Sequence, residues 1–229
     1  MEKKGKVQKC LEVRSNEWSF ETIARITKEF VGGYRFLNKY GKAATFFGSS
    51  SCDIGNDIYD EATKLAKMLS LDGFAIITGG GPGIMEAANK GAYEAGGQSA
   101  GLNIKLQNGQ VTNKYVKESV SFHYFFTRKV MLSFASEVYI FFPGGFGTLD
   151  EFFEMTMLIQ TKKIAPIPVV VVNRGYWEPL LDLINKRLYE KYNTISKEDM
   201  NIYHIVDNAE EAFPLIQKLV REFDILRCE

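Results

Sequence analysis

The chain has 229 residues, 45% of them hydrophobic, enough to enclose one substantial core, and no linker-like stretch divides it. Its 28 Lys and Arg balance 28 Asp and Glu, which leaves no net field to attract nucleic acid or an acidic membrane surface. The cysteines, Cys10, Cys52 and Cys228, are far apart and form no C-x-x-C pair, which suits reduced thiols in a cytoplasm and argues against a disulfide framework or a zinc site.

Residues 1–15 are polar and read as a flexible N-terminal segment, with residues 16–229 as the domain. The basic start, Met1-Glu2-Lys3-Lys4, is followed by no apolar h-region, so it does not read as a secretory signal. No apolar run approaches the roughly 20 residues that span a bilayer. Cys228 is penultimate and lacks the prenylation pattern. A soluble, cytoplasmic protein is expected.

Phe20, Ile23, Ala24, Ile26, Phe30 and Val31 outline a first amphipathic helix, expected to end at Gly32-Gly33. Ala43-Ala44-Thr45-Phe46-Phe47 reads as a buried strand closing on Gly48-Ser49-Ser50-Ser51. Tyr59, Ala62, Leu65, Ala66 and Leu69 mark the next helix, ended by Asp72-Gly73. The strand Phe74-Ala75-Ile76-Ile77-Thr78 enters a glycine-rich turn, Gly79-Gly80-Gly81-Pro82-Gly83-Ile84-Met85-Glu86, which opens a helix through Ala88, Gly91 and Ala92. Residues 100–104 form a third strand, residues 105–119 read as polar and irregular, and residues 122–134 as a helix bearing Arg128 and Lys129.

The strand Val138-Tyr139-Ile140-Phe141-Phe142 then runs into Pro143-Gly144-Gly145-Phe146-Gly147-Thr148-Leu149-Asp150-Glu151, and Leu149, Phe152, Phe153 and Met157 continue at helical spacing. Strand 167–172, a helix through Trp177 and Ile184, strand 202–206 and helix 209–223 complete the pattern. Alternating strands and helices predict a single-domain α/β fold: a Rossmann-like, doubly wound, mostly parallel sheet flanked by helices. Ligands of such sheets bind at the strands' carboxyl ends, where both glycine turns fall.

A strand that becomes a helix through glycines leaves backbone N–H groups converging on one point, and the helix dipole favours an anion there, most naturally a phosphate. Asp150 and Glu151 sit awkwardly beside such an anion. They either complement the dipole from the helix's first turn or act on something cationic held between carboxylate and phosphate. A reaction that develops positive charge on a sugar supplies that cation.

Other chemistries find less support. Gly81-Pro82-Gly83-Ile84-Met85-Glu86 places Glu86 where a dinucleotide fingerprint needs glycine or alanine, and Asn103 and Lys105 replace the acid that holds a ribose. No G-x-x-x-x-G-K-[ST] run, H-E-x-x-H pair or G-x-S-x-G elbow occurs, and the two histidines, His123 and His204, read as packed or surface residues. No recognisable lysine motif for a pyridoxal phosphate Schiff base is present.

Pro143-Gly144-Gly145-Phe146-Gly147-Thr148-x-x-Glu151, with Arg128-Lys129 on the preceding helix, resembles the Lonely Guy family of phosphoribohydrolases, once labelled lysine decarboxylases. The resemblance extends through Phe47-Gly48-Ser49-Ser50, the run from Thr78 to Glu86, Gly101-Leu102-Asn103-Ile104, the run from Leu158 to Ile164, and Tyr176-Trp177. The aromatic run from Phe122 to Phe126 and the long first helix are more similar to the larger bacterial subgroup than to the short plant-like one.

The resemblance implies hydrolysis of the N-glycosidic bond of a purine nucleoside 5′-monophosphate, a cytokinin riboside monophosphate or AMP, to free base and ribose 5-phosphate. It implies no metal or organic cofactor, and a homodimer or higher homo-oligomer. It assigns catalysis to Glu151 and Arg128, with Asp150 as neighbour of the first. The phosphate would rest on Gly144, Gly145, Gly147 and Thr148, with Thr156 further along the helix and Lys129 serving the phosphate or a subunit boundary. Gly80, Gly81 and Gly83 would close the opposite wall, and Ser49 and Gln110 would contact ribose or base. Departures from the family pattern at Asp150, Lys105, Asn108, Gly109 and His123 bear on base preference. A nucleotide-binding or cofactor-carrier protein on the same fold is the alternative; it keeps the glycine turns without needing Arg128 and Glu151 together.

Overall fold

A computed structural model describes residues 19–51, 57–105 and 112–227. The expectations for residues 1–15, the three cysteines, Asn108, Gly109 and Gln110 lie outside the described residues. The strands are β1 (Ala43–Phe47), β2 (Ala75–Thr78), β3 (Ser99–Ile104), β4 (Glu118–Phe122), β5 (Val138–Phe141), β6 (Val169–Val172) and β7 (Tyr203–Val206). The helices are α1 (Phe20–Leu37), α2 (Asp57–Leu71), α3 (Ile84–Glu94), α4 (Phe125–Ser133), α5 (Phe146–Gln160), α6 (Arg174–Leu183) and α7 (Ala209–Arg227).

All seven strands pair in parallel, in the order β4-β3-β2-β1-β5-β6-β7. Strands β1, β2, β3, β5 and β6 are buried at every residue, because helices cover both faces. Alternate residues serve the two cores: Ala44, Phe46, Ile76 and Ile140 pack with α2, α3 and α7. Ala43, Phe47, Ile77 and Phe141 pack with side chains of α1, α4, α5 and α6.

From β1 the chain steps outward to β4, then returns to lay β5 against the other side of β1. The winding direction reverses there, and the carboxyl ends of β1 and β5 splay their loops around a crevice. Backbone bonds tie the crevice walls together. The Ser49 amide donates to the Pro143 carbonyl (2.9 Å), and the Ile84 amide donates to the Ser49 carbonyl (2.9 Å). Glycine is required where these segments touch: at Gly83, with φ +71°, a Cβ would lie 2.2 Å from the Ser49 carbonyl oxygen.

Two expectations are corrected. Helix α1 does not end at Gly32-Gly33 but runs through both to Leu37; at Gly33 the missing Cβ makes room for Met131, whose Sδ would otherwise sit 2.5 Å from it. Residues 118–122 are strand rather than loop or helix start, and α4 begins only at Phe125. As an edge strand, β4 is mostly exposed and lacks the apolar alternation that would betray it. The start of α4 is capped from a distance: Glu29 of α1 accepts from the His123 amide (2.6 Å), the Tyr124 amide (3.3 Å) and the Thr127 hydroxyl (2.6 Å).

A buried polar network holds the Gly79–Gly83 turn. Asn89 accepts from Thr78 Oγ1 (2.7 Å) and Asn113 Nδ2 (3.0 Å) and donates to Ser99 Oγ (2.9 Å), while Thr78 Oγ1 also accepts from the Gly80 amide (2.9 Å). Replacing Asn89 strands three partners in a dry core. Asn89→Ala is expected to cost about 2–4 kcal/mol in urea unfolding at pH 7; a loss under about 1 kcal/mol would show that these groups find water instead.

Candidate active site

Helix α5 starts at Phe146 with Gly145 as its N-cap and no side chain capping it. The first amide to close on the turn is that of Leu149, donating to the Gly145 carbonyl (3.1 Å). The amides of Phe146, Gly147 and Thr148 therefore have no acceptor among the described residues. A Cβ on Gly145 or Gly147 would meet nothing within 4 Å, and both residues line the cleft with Thr148. Gly144 differs: a Cβ there would lie 2.1 Å from Thr148 Oγ1 and 2.8 Å from the Ser49 amide nitrogen. Its carbonyl is held by the Tyr176 hydroxyl of α6 at 2.5 Å.

Because α5 begins at Phe146, its first turn carries no acidic residue, and Asp150 and Glu151 fall one turn later. The reading of Asp150 as a first-turn dipole partner is thereby corrected. The two carboxylates diverge. Asp150 points outward, its side chain 54% exposed, and accepts from Lys129 (2.7 Å), which also lies 3.3 Å from Glu154. Burial alone would lower the Lys129 pKa; the hydrogen bond with Asp150 and the charge of Glu154 leave it raised. Glu151 turns inward, is only 5% exposed, and its Oε2 has no hydrogen-bond partner.

Burial pushes the Glu151 carboxyl up to about 7; Glu154 and Asp150 add to the rise, while Lys129 and Arg128 oppose it. Arg128 reaches in from α4, its Nε buried without a partner. Burial lowers its pKa and Glu151 pulls the other way. Its guanidinium lies 5.2 Å from the Phe125 ring centroid, and a Cβ on Gly79 would approach Nη2 to 3.1 Å.

Both side chains line a cleft of about 310 Å³ whose other walls include Ser49, Gly145, Gly147 and Thr148. That volume is at the lower end of those that enclose small ligands. The remaining expected site residues stand elsewhere. Gly80, Gly81 and Gly83 are buried and shape the turn, while Gly79 is the glycine that faces the cleft. Lys129 is bound to carboxylates away from the cleft, and Thr156 donates to the Phe152 carbonyl of its own helix (2.8 Å). Gly79, Phe125 and Tyr176 lie in the stretches that the motifs mark but carry no motif role of their own, and no local pattern marks Glu29. Among the described residues, no group of three or more His, Cys, Asp or Glu could hold a metal ion, and no helix is long and apolar enough to cross a membrane.

Residues 85–216 match the family model described as possible lysine decarboxylase. The chain is similar to a cytokinin riboside 5′-monophosphate phosphoribohydrolase of Arabidopsis thaliana, at 31% identity over 186 residues, covering 80% of this chain and 78% of that protein. It is similar to a probable enzyme of the same name in Oryza sativa subsp. japonica, at 30% identity over 80% of this chain and 73% of that one. Among solved structures, the molybdenum cofactor carrier protein of Chlamydomonas reinhardtii shares the fold with a TM-score of 0.62 and 20% identity, covering 79% of this chain and 98% of that one. The molybdenum cofactor binding protein of Rippkaea orientalis does so with a TM-score of 0.58 and 22% identity, covering 78% and 98%.

The position of Glu151 has a measurable cost. Below the ordinary value of 4.5 it is neutral both folded and unfolded; between 4.5 and about 7 the unfolded chain ionises first, so the fold loses stability as pH rises. Above that window the loss is constant at about 3 kcal/mol. Relative to Glu151→Gln, the parent should lose about that much more stability between pH 4 and pH 8 in urea unfolding. Identical pH profiles for the two proteins would mean that the carboxylate is solvated.

Proposed function

The chain belongs to the Lonely Guy family, and we propose that it hydrolyses the N-glycosidic bond of purine nucleoside 5′-monophosphates, releasing free base and ribose 5-phosphate. One observation carries the reading: a buried carboxylate with an unpartnered oxygen shares a cleft with the open amides of a helix start. An anion cradle alone would have no use for a desolvated acid, which repels the ligand. A sugar held between the two gives it one.

In this reading the 5′-phosphate takes the amides of Gly147 and Thr148, supported by the α5 dipole. The ribose then lies toward Glu151 and the base toward Arg128. As the C–N bond breaks, its electron pair leaves with the base and positive charge builds on the ribose, as in glycoside hydrolysis. An ionised Glu151 is worth most at that moment, in a site where water does not screen it. It also accepts a proton from the water whose oxygen bonds to the anomeric carbon, and this balances the proton that the base anion takes up to leave as the free base. Arg128 donates to the departing base and offsets the negative charge it gains. Lys129, bonded to Asp150 and 3.3 Å from Glu154, offsets one of the two further negative charges near Glu151.

The similarity in fold to molybdenum cofactor carrier and binding proteins keeps a second reading in view, a carrier that uses the cradle without turnover. Of the assemblies expected, a homodimer or a higher homo-oligomer, we propose the homodimer. Phe126 of α4, Phe134 just after it, Phe153 and Met157 of α5, and Ile23 and Val31 of α1 are large apolar side chains left exposed on one face, and a second copy is the partner with a matching surface. Phe153→Glu with Met157→Glu should halve the mass measured by sedimentation; an unchanged mass would remove α5 from any interface.

Incubation with AMP or isopentenyladenosine monophosphate, followed by chromatography, should release free base. Glu151→Gln and Arg128→Ala are each expected to lower kcat by about 10²–10³-fold, and Asp150→Asn by less than about tenfold. Since the ionised carboxylate is the active form, kcat/KM should climb with pH and level off above about 7. Tight nucleotide binding with no base released would instead establish the carrier.

A further inference from the structure

Away from the crevice, at the carboxyl end of the edge strand, α1 and β4 enclose a cleft of about 350 Å³. Arg25 and Lys28 enter it from α1, Lys105 from just beyond β3, and His123 from just beyond β4. Among the described residues, the Arg25, Lys28 and Lys105 side chains make no ion pair or hydrogen bond. Some other surface cations are paired, Lys39 with Glu118, Lys42 with Asp72 and Lys67 with Glu94; what sets this cleft apart is that three cations without such a partner line one hollow. The chain as a whole carries no net charge, so this gathering is local.

The one carboxylate lining the cleft is Glu29, and it is already committed to two amides and a hydroxyl at the start of α4. Three cations against one such carboxylate leave a net charge of about +2, which matches a phosphate monoester near neutral pH. Blunting the sheet edge does not account for the arrangement, since Arg25 and Lys28 are on a helix and Lys105 follows an interior strand.

We propose that this cleft is a second anion site, built for a small phosphate monoester dianion and separate from the crevice at Glu151. Arg25, Lys28 and Lys105 supply the charge, and His123 a ring nitrogen. Glu29 is shared between the cleft and the cap of α4, so occupancy is felt at the His123 and Tyr124 amides, about one turn ahead of Arg128. The inference stands whether the crevice hydrolyses its ligand or carries it.

The test is an amide chemical-shift titration of the full chain with glycerol 3-phosphate and, separately, inorganic phosphate at constant ionic strength. Saturable shifts are expected at residues 25–32 and 120–124, weakened about tenfold in the Arg25→Ser, Lys105→Ser double variant. Shifts at residues 145–148, from the crevice, should be untouched by that variant. Saturation by inorganic phosphate alone would mean that the phosphate group suffices; tighter binding of glycerol 3-phosphate would show that the organic body is also held. Shifts confined to residues 145–148, or shifts at residues 25–32 that the double variant leaves unchanged, would overturn the proposal.

Discussion

The Ser49 peptide is the point on which the site depends. Its N–H donates to the loop after β5 and its C=O accepts from the first residue of α3, so one residue fastens three loops together. The contacts leave no room for side chains between the segments: a Cβ on Gly48 would lie 2.6 Å from Ile84 Cγ1, and those on Gly83 and Gly144 would strike the Ser49 backbone. With the loops so close, the amides that open α5 cannot retreat from the crevice. The Asn89 network holds the remaining turn from behind. Rigidity, rather than any single donor, is what would let the crevice take the proposed phosphate without a reorganisation cost.

Upon that frame the charges are sorted by depth. Asp150, Glu151 and Glu154 lie on one helix within reach of a single lysine, and the helical repeat decides which of them it serves. Asp150 and Glu154 are four residues apart and share Lys129, whereas Glu151 rotates into the crevice and meets Arg128. The pull of Arg128 and Lys129 on Glu151 falls short of its desolvation, so the carboxyl rests near neutrality, where it can both take and hold a proton. A fully satisfied Arg–Glu salt bridge would have held the carboxyl low and left no unfilled capacity for a ligand. The unpartnered Arg128 Nε and Glu151 Oε2 are that capacity.

The parts of this design that the sequence displays are those set by local rules. Buried parallel strands read as unbroken apolar runs, and strand–glycine–helix turns announce their amides, so the sheet, the two turns and Arg128 with Glu151 were legible. What escaped were features whose cause lies elsewhere in the chain. Gly33 looks like a helix stop until Met131 is seen to pack on it. Strand β4 has no alternation because an edge strand with one side in water does not require it. Lys129 looks like a phosphate ligand on its own helix, and only the register of α5 opposite it shows that two carboxylates hold it. Of the three glycines expected as a wall, Gly80, Gly81 and Gly83, none lines the cleft, and Gly80 and Gly83 are at positive φ.

The division between cradle and acid explains how one fold can serve chemically different ends. The proposed cradle belongs to the loops after β1 and β5 and the start of α5, at the centre of the sheet. Arg128 belongs to α4, a nine-residue helix that begins beside the edge strand and whose start is secured by Glu29 from α1. A carrier could dispense with that arm and lose nothing in phosphate affinity, while a hydrolase could not, since the departing base would have no donor to meet it. The three hydrogen bonds that Glu29 accepts fix the start of α4, and with it the place from which Arg128 enters the crevice. They also put the arm within reach of whatever charge enters the cleft between α1 and β4.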